Sequence, residues 1–161
     1  MRKIDTEPKL SLVVLRATAM DSDDIRLWRN DKQTKLMFAK QNSVTWEEHK
    51  AWYENYLKDP NRYMYIGYLD KNTKIGMCRF DLDPRVNIAE VSININPIHR
   101  LKSLSSQLLL AAMNEFFSEK KVDLVAKIKK ENVGSMKCFV KSGFVLVCER
   151  NEYNYYKFPS R

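Results

Sequence analysis

The strand–helix–strand pattern of residues 88–128 is the feature that most constrains the fold. The segment IAEVSINI (88–95) alternates between two sets of side chains, which predicts a strand with two different faces. A helix is predicted from about Leu104 to Lys120, where apolar residues recur at every fourth position, and LVAKI (124–128) is a short apolar strand after it. Units of this kind form right-handed parallel crossovers, so the chain should contain a mixed α/β sheet.

Turn signals and a helix cap define the remaining predicted elements. Thr45 and Glu48 have the spacing of a capping box, which predicts a helix over about 46–58. The polar turn DKNT joins two strands that should pair antiparallel next to the strand at 88–95. Further strands are predicted at 10–16, 63–69, 74–82, 144–150 and 153–158, and further helices at 23–30 and 132–142. We therefore predict a single domain over residues 1–161, with about seven strands and four helices.

The composition indicates an ordinary globular protein. Of the 161 residues 44% are hydrophobic, and no apolar stretch approaches the roughly 20 residues that a membrane span needs. The N-terminus lacks the apolar segment of a secretory signal, so a cytoplasmic location without membrane contact is expected. The formal net charge is +8, but the cations are dispersed, so no nucleic-acid partner is expected. The three cysteines are widely spaced in apolar runs, which predicts buried free thiols and neither a metal site nor a disulfide.

The stretch NINPIHRLKSLSSQLL gathers cations and serines where the strand leads into the helix. The start of a helix offers unpaired amide groups and the positive end of the helix dipole, which attract phosphates. Arg100 and Lys102 would add full charges there, and the small serine side chains would let a phosphate approach the backbone. This combination favours a diphosphate site, and the alternative is a solvated basic turn with a serine cap.

At these residues the chain resembles a known family. INPIHRLKSLSSQLLLAAMNEFF is similar to the acetyl-CoA-binding segment of the GCN5-related N-acetyltransferases (GNAT), whose signature is Arg/Gln-x-x-Gly-x-Gly/Ala. KKENVGSMKCFVKSGFVLV resembles the family's Asn-x-x-Ala/Ser…Tyr-x-x-x-Gly-Phe segment. The predicted order of elements also agrees with that fold over nearly the whole chain. The resemblance implies an N-acetyltransferase that uses acetyl-CoA as co-substrate and no metal.

The resemblance also implies where acetyl-CoA would bind. In this family the central strand splays from its neighbour and leaves amides free for the pantetheine arm, the loop before the next helix holds the diphosphate, and the second motif contacts the distal part of the cofactor. The corresponding residues are Ile93, Asn94, Ile95, Arg100, Leu101, Lys102, Ser103, Leu104, Ser105, Asn132, Ser135 and Phe139.

The chain departs from the family pattern at two places. Ser103 and Ser105 stand where glycine or alanine is usual, and a Cβ disfavours positive φ and narrows the space for phosphate oxygens. We expect acetyl-CoA binding that is weaker than usual. Phe139 stands where the family often has a tyrosine proposed to protonate the leaving thiolate. The proton would then come from water or another tyrosine, or no general acid would serve.

Glu90 is the preferred candidate for the general base. The attacking amine must be neutral, so a base or a water chain should remove its proton. Glu90 lies on the central strand, on the same face as Ser92 and Asn94 and upstream of the cofactor loop. The alternative is a solvent-facing carboxylate paired with Arg79 or another cation of the strands, and Asp81 or His49 would be weaker choices of base.

The N-terminal half resembles acetyltransferases that act on nucleotide-linked amino sugars in bacterial nonulosonic acid biosynthesis. This resemblance implies a 4-amino sugar attached to UDP as the small-molecule acceptor. The oligomeric state stays open between a monomer and a homodimer, which edge pairing of the C-terminal segment YNYYKF could form. The candidate acceptor residues are Arg29, Asn30, Trp46, His49 and Arg79. Two alternatives stay open: an acetyltransferase of protein N-termini or antibiotics, and a catalytically degenerate module that binds CoA without turnover.

Overall fold

The computed structural model describes residues 11–38, 41–100 and 103–160. These residues form a seven-stranded sheet in the order β1-β2-β3-β4-β5-β7-β6. The strands are β1 (Leu12–Arg16), β2 (Arg62–Leu69), β3 (Thr73–Asp83), β4 (Ile88–Ile95), β5 (Asp123–Lys129), β6 (Val145–Arg150) and β7 (Tyr153–Phe158). The helices are α1 (Ser22–Asn30), α2 (Lys32–Met37), α3 (Trp46–Lys58), α4 (Leu104–Glu119) and α5 (Val133–Lys141), with short 3₁₀ turns at Ala19–Asp21 and Pro97–His99.

All neighbouring strands in this sheet are antiparallel except β4 and β5, which are parallel. Because α4 connects these two strands, the crossover predicted for residues 88–128 is confirmed, and so is the mixed α/β class. The capping box of α3 also forms. The Thr45 hydroxyl accepts from the Glu48 amide at 3.2 Å, and the Glu48 carboxylate accepts from the Thr45 amide at 2.9 Å.

The helix α2 was not predicted, so the described residues contain five helices where four were expected. It starts after Asp31, whose carboxylate accepts a hydrogen bond from the Thr34 amide at 3.0 Å. Of its six side chains only that of Thr34 is buried. A helix without an apolar stripe leaves no helical period in the sequence, which is why the pattern missed it.

One face of the sheet packs against α4 and α5 in an apolar core. Phe116 of α4 stacks on Phe80 of β3 with ring centroids 4.4 Å apart, and both side chains are fully buried. Ala89 and Val91 of β4 and Leu104 at the start of α4 belong to the same core. This packing fixes the first turn of α4 relative to β4.

The opposite face packs against α1 and α3. Ile25 and Trp28 of α1 and Tyr53 of α3 form a second core with residues of β2 and β3. Glu90 and Asn94 alternate along β4 with residues of the α4 core and therefore lie on this second face, as predicted.

The two outer strands of the sheet are β1 and β6. The sequence left open a dimer formed by edge pairing of the segment YNYYKF, which is β7. In the structure β7 lies between β5 and β6, so both of its edges are already paired and that mode of association is excluded. All six residues of the edge strand β6 are exposed. They include Cys148, so the prediction of buried thiols is wrong for this cysteine, while Cys78 and Cys138 are buried.

Candidate active site

The seam between β4 and β5, the line along which these two strands adjoin, is hydrogen-bonded at one end and open at the other. Parallel pairing runs only from Ile88↔Asp123 to Glu90↔Val125. Both strands continue past these positions without pairing further with each other, β4 to Ile95 and β5 well beyond Val125. The strands therefore diverge beyond Glu90 and leave a wedge-shaped cleft in the middle of the sheet.

Beyond Glu90, β4 keeps its pairing with β3 on the side away from the cleft. Ile93, Asn94 and Ile95 all have partners in β3 and none in β5. Successive amides of a strand point to opposite sides, so those pointing away from β3 face the cleft. An extended ligand can hydrogen-bond to such a free edge as an added strand would. The cleft thus fits an extended pantetheine arm.

The N-terminus of α4 lies a short loop after the cleft strand. Its cap, Ser103, has φ 54° and ψ 27°, the left-handed conformation that suits the glycine usual at this position. The Ser103 side chain makes no capping hydrogen bond and so does not occupy the first amides of the helix. Leu104 is buried and Ser105 is half-buried. Leu101 and Lys102, which were also predicted to bind the cofactor, lie outside the described residues.

Arg100 lies in the loop before α4, but its guanidinium group contacts α2. It donates to Asp31 Oδ2 at 2.7 Å and to Gln33 Oε1 at 3.1 Å, and it also contacts the Thr34 hydroxyl. Partial burial raises the pKa of Asp31, but the hydrogen bonds from the Thr34 amide and from Arg100 outweigh it and hold that pKa below its usual value. Arg100 therefore connects the predicted diphosphate loop to α2.

The second motif forms the start and the buried side of α5. Asn132 caps the helix, with its side-chain oxygen accepting from the Ser135 amide at 3.1 Å, while Ser135 itself is half-buried. Phe139 is 1% exposed and packs edge to face on Phe144 with ring centroids 4.9 Å apart. Phe139 is thus a core residue in this structure, and nearly none of its surface is open to a ligand.

Glu90 lies where β4 and β5 begin to diverge. Its side chain is exposed, and it makes no hydrogen bond or ion pair with any residue that the structure describes. The alternative pairing with Arg79 is not seen, because Arg79 Nε lies 3.8 Å from Asp81 Oδ2. Asp81 also accepts a hydrogen bond from the Tyr56 hydroxyl at 2.7 Å. Among the described residues Glu90 therefore has no polar partner, whereas Asp81 contacts both Tyr56 and Arg79.

A groove of about 690 Å³ adjoins Glu90 on the α1/α3 face. Its charged lining comprises the carboxylates of Asp59, Asp81, Asp83 and Glu90 and the guanidinium groups of Arg62 and Arg85. Arg62 lies 3.4 Å from Asp59 and 3.8 Å from Asp81, and Arg85 lies 2.7 Å from Asp83. With four carboxylates against two guanidinium groups, this part of the surface is negative although the chain as a whole is basic.

Two of the five predicted acceptor residues are engaged in holding α1, α3 and the loop between them. The Asn30 side chain donates to the Val44 carbonyl at 2.9 Å and accepts from the Val44 amide at 2.8 Å. His49 Nε2 lies 3.1 Å from Ser22 Oγ, and the ring is 2% exposed. Burial lowers the pKa of His49 below its ordinary value, with the Ser22 hydrogen bond opposing the shift.

The other three predicted acceptor residues are Arg29, Arg79 and Trp46. Burial lowers the pKa of the Arg29 guanidinium, and the nearby charge of Arg79 lowers it further. Arg29 lies over the Phe38 ring at 3.9 Å, and Arg79 over the Trp52 ring at 5.7 Å. Trp46, on α3, is 40% exposed. Arg29 and Arg79 therefore concentrate positive charge on the face of the sheet that carries Glu90.

The sequence analysis missed the polar residues that attach α2 to the cleft strands. Lys129 of β5 is 8% exposed, and its Nζ donates to the Leu36 carbonyl at 3.2 Å. On the other side of the cleft, the Thr34 hydroxyl lies 3.5 Å from Asn94 Oδ1. In the sequence Lys129 is one of many dispersed cations, so nothing marks it as a contact of α2. The available signal for α2 itself was Asp31 followed three residues later by Thr34, which is the spacing of a helix cap.

Two other kinds of site were sought in the described part of the chain. No group of three His, Cys, Asp or Glu side chains there is placed to bind a metal ion. Nor does any helix among those residues have both the length and the apolar character needed to cross a membrane.

Comparisons with known proteins agree with this architecture. Curated proteins give no significant sequence match. Solved structures with the same fold include a domain from Methanocaldococcus jannaschii, 21% identical with TM-score 0.79, which covers 93% of this chain and 99% of that one. Spermidine N-acetyltransferase from Vibrio cholerae, in complex with CoA and spermine, is 15% identical with TM-score 0.79 over 91% and 92% of the two chains.

A third structure with this fold is the Campylobacter jejuni N-acetyltransferase PseH in complex with acetyl coenzyme A. It is 18% identical with TM-score 0.70, over 92% of this chain and 99% of that one. These likenesses establish the fold. The family model described as "Acetyltransferase (GNAT) domain" matches residues 11–145, which is most of the chain. The splayed seam, the free start of α4 and this match together establish that the chain belongs to the GNAT family of N-acetyltransferases.

Proposed function

We propose that this protein transfers the acetyl group of acetyl-CoA to the primary amine of a nucleotide-linked amino sugar. The observation that carries the proposal is the position of Glu90, a free carboxylate where the seam between β4 and β5 opens. An amine bound there would lie beside the cleft that fits the pantetheine arm. The thioester supplies an activated acetyl group when acetyl-CoA is bound.

The cofactor side of the site is built from backbone. Amides of Ile93–Ile95 that face away from β3 would bind the pantetheine arm and polarise the thioester carbonyl. The first amides of α4, left free by the Ser103 side chain, would bind the diphosphate, with Ser105 next to them. Asn132 and Ser135 at the start of α5 would border the distal part of the cofactor.

Glu90 would act as the general base. A protonated amine cannot attack, and a carboxylate without other partners can take its proton directly or through one water. Asp81, directly opposite Glu90 in the β3–β4 pairing, is engaged by Tyr56 and Arg79 and would instead hold these side chains in place.

Arg29 and Arg79 favour an acceptor that carries an anionic group. Arg79 is paired across the strands with Ser92, the residue two positions after Glu90 on the same face of β4. The charge of Arg79 contributes to the lowered pKa of Arg29, and a bound anion beside Arg29 would stabilise its charged form. The diphosphate of a nucleotide sugar has the charge that this position requires. PseH, which has the same fold, is itself described as an N-acetyltransferase bound to acetyl coenzyme A.

A cationic amine is the second candidate acceptor. The groove beside Glu90 has more carboxylates than guanidinium groups and would attract a substrate with several ammonium groups. Spermidine N-acetyltransferase from Vibrio cholerae shares the fold. In this case carboxylates of the groove, such as Asp83, would bind the ammonium groups of the substrate, and Arg79 would take no part in recognising it.

A panel assay separates these acceptors. Acetyl-CoA would be supplied with a UDP-4-amino sugar, spermidine, an aminoglycoside or an N-terminal peptide, and free thiol would be measured. We expect the highest kcat/KM for the UDP-4-amino sugar, and we expect Arg79→Gln to reduce this value but not any residual turnover of spermidine.

Each alternative has its own outcome in the same panel. Preferential turnover of spermidine would replace the nucleotide sugar by the cationic amine, and turnover of the aminoglycoside or the peptide alone would support the antibiotic or N-terminal branch. Acetyl-CoA binding in calorimetry without turnover of any acceptor would indicate a degenerate CoA-binding module. No binding at millimolar acetyl-CoA would refute the proposal altogether.

A further inference from the structure

The short helix α2 has almost no apolar anchorage of its own. Its side chains are exposed or half-buried except that of Thr34. An isolated helix of fewer than about 12 residues is barely stable in water, so contacts made outside α2 must hold it in place. These contacts are polar, and they come from β4 and β5, the two strands that border the cleft, and from the loop before α4.

The anchor from β5 is Lys129, which is 8% exposed and donates to the Leu36 carbonyl near the end of α2. The anchor from β4 is Asn94, which is 9% exposed and lies 3.5 Å from the Thr34 hydroxyl. Buried polar groups are hydrogen-bonded in nearly all native structures. The end of α2 supplies the carbonyl for Lys129, and the Thr34 hydroxyl, whose proton is shared between Asp31 at 3.2 Å and Asn94 at 3.5 Å, is the contact of Asn94. One helix therefore joins the two strands at the end where they no longer join each other.

Arg100 supplies the third anchor. Its side chain and that of Asp31 are each 25% exposed and lie 2.7 Å apart, so the ion pair is partly shielded from water. Both terminal nitrogens of the guanidinium group are in use, one with Gln33 and the other with Asp31 and Thr34. A charge-assisted pair of this kind is stronger than a neutral hydrogen bond.

We propose that α2 is a strap across the open end of the cleft, and that Arg100 is a positioning residue that holds the strap through Asp31 and does not bind the diphosphate. The inference rests on the proposed function in that the strapped cleft is the one expected to hold acetyl-CoA. With the wide end closed on the α1/α3 face, an acceptor reaches the thioester from the Glu90 end.

The test compares four variants: Asp31→Asn, Arg100→Gln, the double variant and Lys129→Met. The control is Lys130→Gln, which removes an exposed ion pair with Glu149 at 3.5 Å, away from α2. Hydrogen exchange of the α2 amides and calorimetric titration with acetyl-CoA are measured for each variant. The exchange readout depends on neither activity nor the identity of the acceptor.

We expect Asp31→Asn to speed exchange in α2 by about ten-fold, as for the loss of one charge-assisted hydrogen bond. Arg100→Gln should speed it at least as much, because it also removes the contacts with Gln33 and Thr34. The double variant should exchange no faster than Arg100→Gln, because that substitution already removes the contact with Asp31. Lys129→Met should also speed exchange in α2, and Lys130→Gln should not. The acetyl-CoA Kd of Arg100→Gln should stay within about two-fold of the unmodified protein.

A Kd raised ten-fold or more by Arg100→Gln but not by Asp31→Asn would overturn the inference, because Arg100 would then be a diphosphate ligand. Unchanged α2 exchange in both single variants would overturn it as well. If the unmodified protein fails to bind acetyl-CoA, the proposed function fails, while the exchange comparison still decides whether α2 is a strap.

Discussion

The two faces of the sheet are built differently where they border the cleft. On the α4/α5 face, β4 contributes Ala89 and Val91 to an apolar core. On the α1/α3 face, the same strand contributes an exposed Glu90 and a buried, hydrogen-bonded Asn94. The difference separates two tasks. Apolar packing fixes the backbone that would bind the cofactor, and polar side chains on the other face would deprotonate and select the acceptor.

The largest expected effect tests the apolar face. Phe116→Ala removes a fully buried ring that stacks on Phe80, so the free energy of unfolding should fall by about 3–5 kcal/mol. Urea unfolding measures the loss. Leu110→Ala, on the same helix at a 48% exposed position, is the control and should cost less than about 1 kcal/mol. Equal losses in the two variants would mean that this face is not a tightly packed core.

The next effect tests the polar face. Glu90→Gln should lower kcat by about 10²–10⁴-fold, the range for loss of a general base, because the amide cannot accept the proton of the amine. The acetyl-CoA Kd should change little, since the cofactor is expected to bind through backbone. Steady-state kinetics and calorimetry give both values, with the exposed Glu115→Gln on α4 as control. An unchanged kcat across pH would remove Glu90 from the mechanism.

A smaller effect tests the junction between the two faces, at the start of α4. Ser103→Gly should stabilise the protein by about 1 kcal/mol, because Ser103 has a positive φ that penalises its Cβ. It should also tighten acetyl-CoA binding. Ser105→Gly is the comparison inside the helix and should destabilise by at least about 0.5 kcal/mol, through lower helix propensity and through loss of the side-chain hydrogen bond to Cys138. Thermal unfolding and calorimetry would detect both, and a destabilising Ser103→Gly would contradict the assigned strain.

The smallest effect concerns pH. Because burial lowers the pKa of His49 in the folded protein, the unfolded chain binds a proton more readily. The free energy of unfolding should therefore fall as pH drops below about 6.5, by less than about 1.4 kcal/mol per pH unit from this residue. His49→Gln should remove this contribution, and His99→Gln should retain it. Urea unfolding between pH 5 and 7 checks the sign, and a rise in stability toward pH 5 would contradict it.

Periodic and capped elements were predictable from the sequence. The alternation in residues 88–95 predicted which side chains of β4 share a face. The helical period of α4 predicted the helix that connects β4 to β5, because each of these elements buries one face against a partner. The capping box of Thr45 and Glu48 was predictable for a similar reason, since its two hydrogen bonds join residues only three positions apart. The family resemblance added the expectation that β4 and β5 would splay, which agrees with pairing that ends at Glu90.

Long-range polar contacts were not predictable from the sequence. Asp31 and Arg100 are 69 positions apart, and Lys129 reaches across 93 positions to α2, so no local pattern connects them. Asn30 and His49 were interpreted as acceptor residues because polar side chains near a groove look alike in sequence. Their engagement with Val44 and Ser22 depends on how α1 meets α3, which only the tertiary structure determines.

The short pairing between β4 and β5 also bears on how the molecule folds. On either side of it, β2–β4 and β5–β7 are antiparallel groups, the first linked by short turns and the second by α5 and one short turn. Contacts that are local in sequence form early, and those that must close a long loop form late. We expect each group to assemble first and the two to meet last along this narrow line. We expect the same line to separate first under force, because β4 and β5 pair over only three positions.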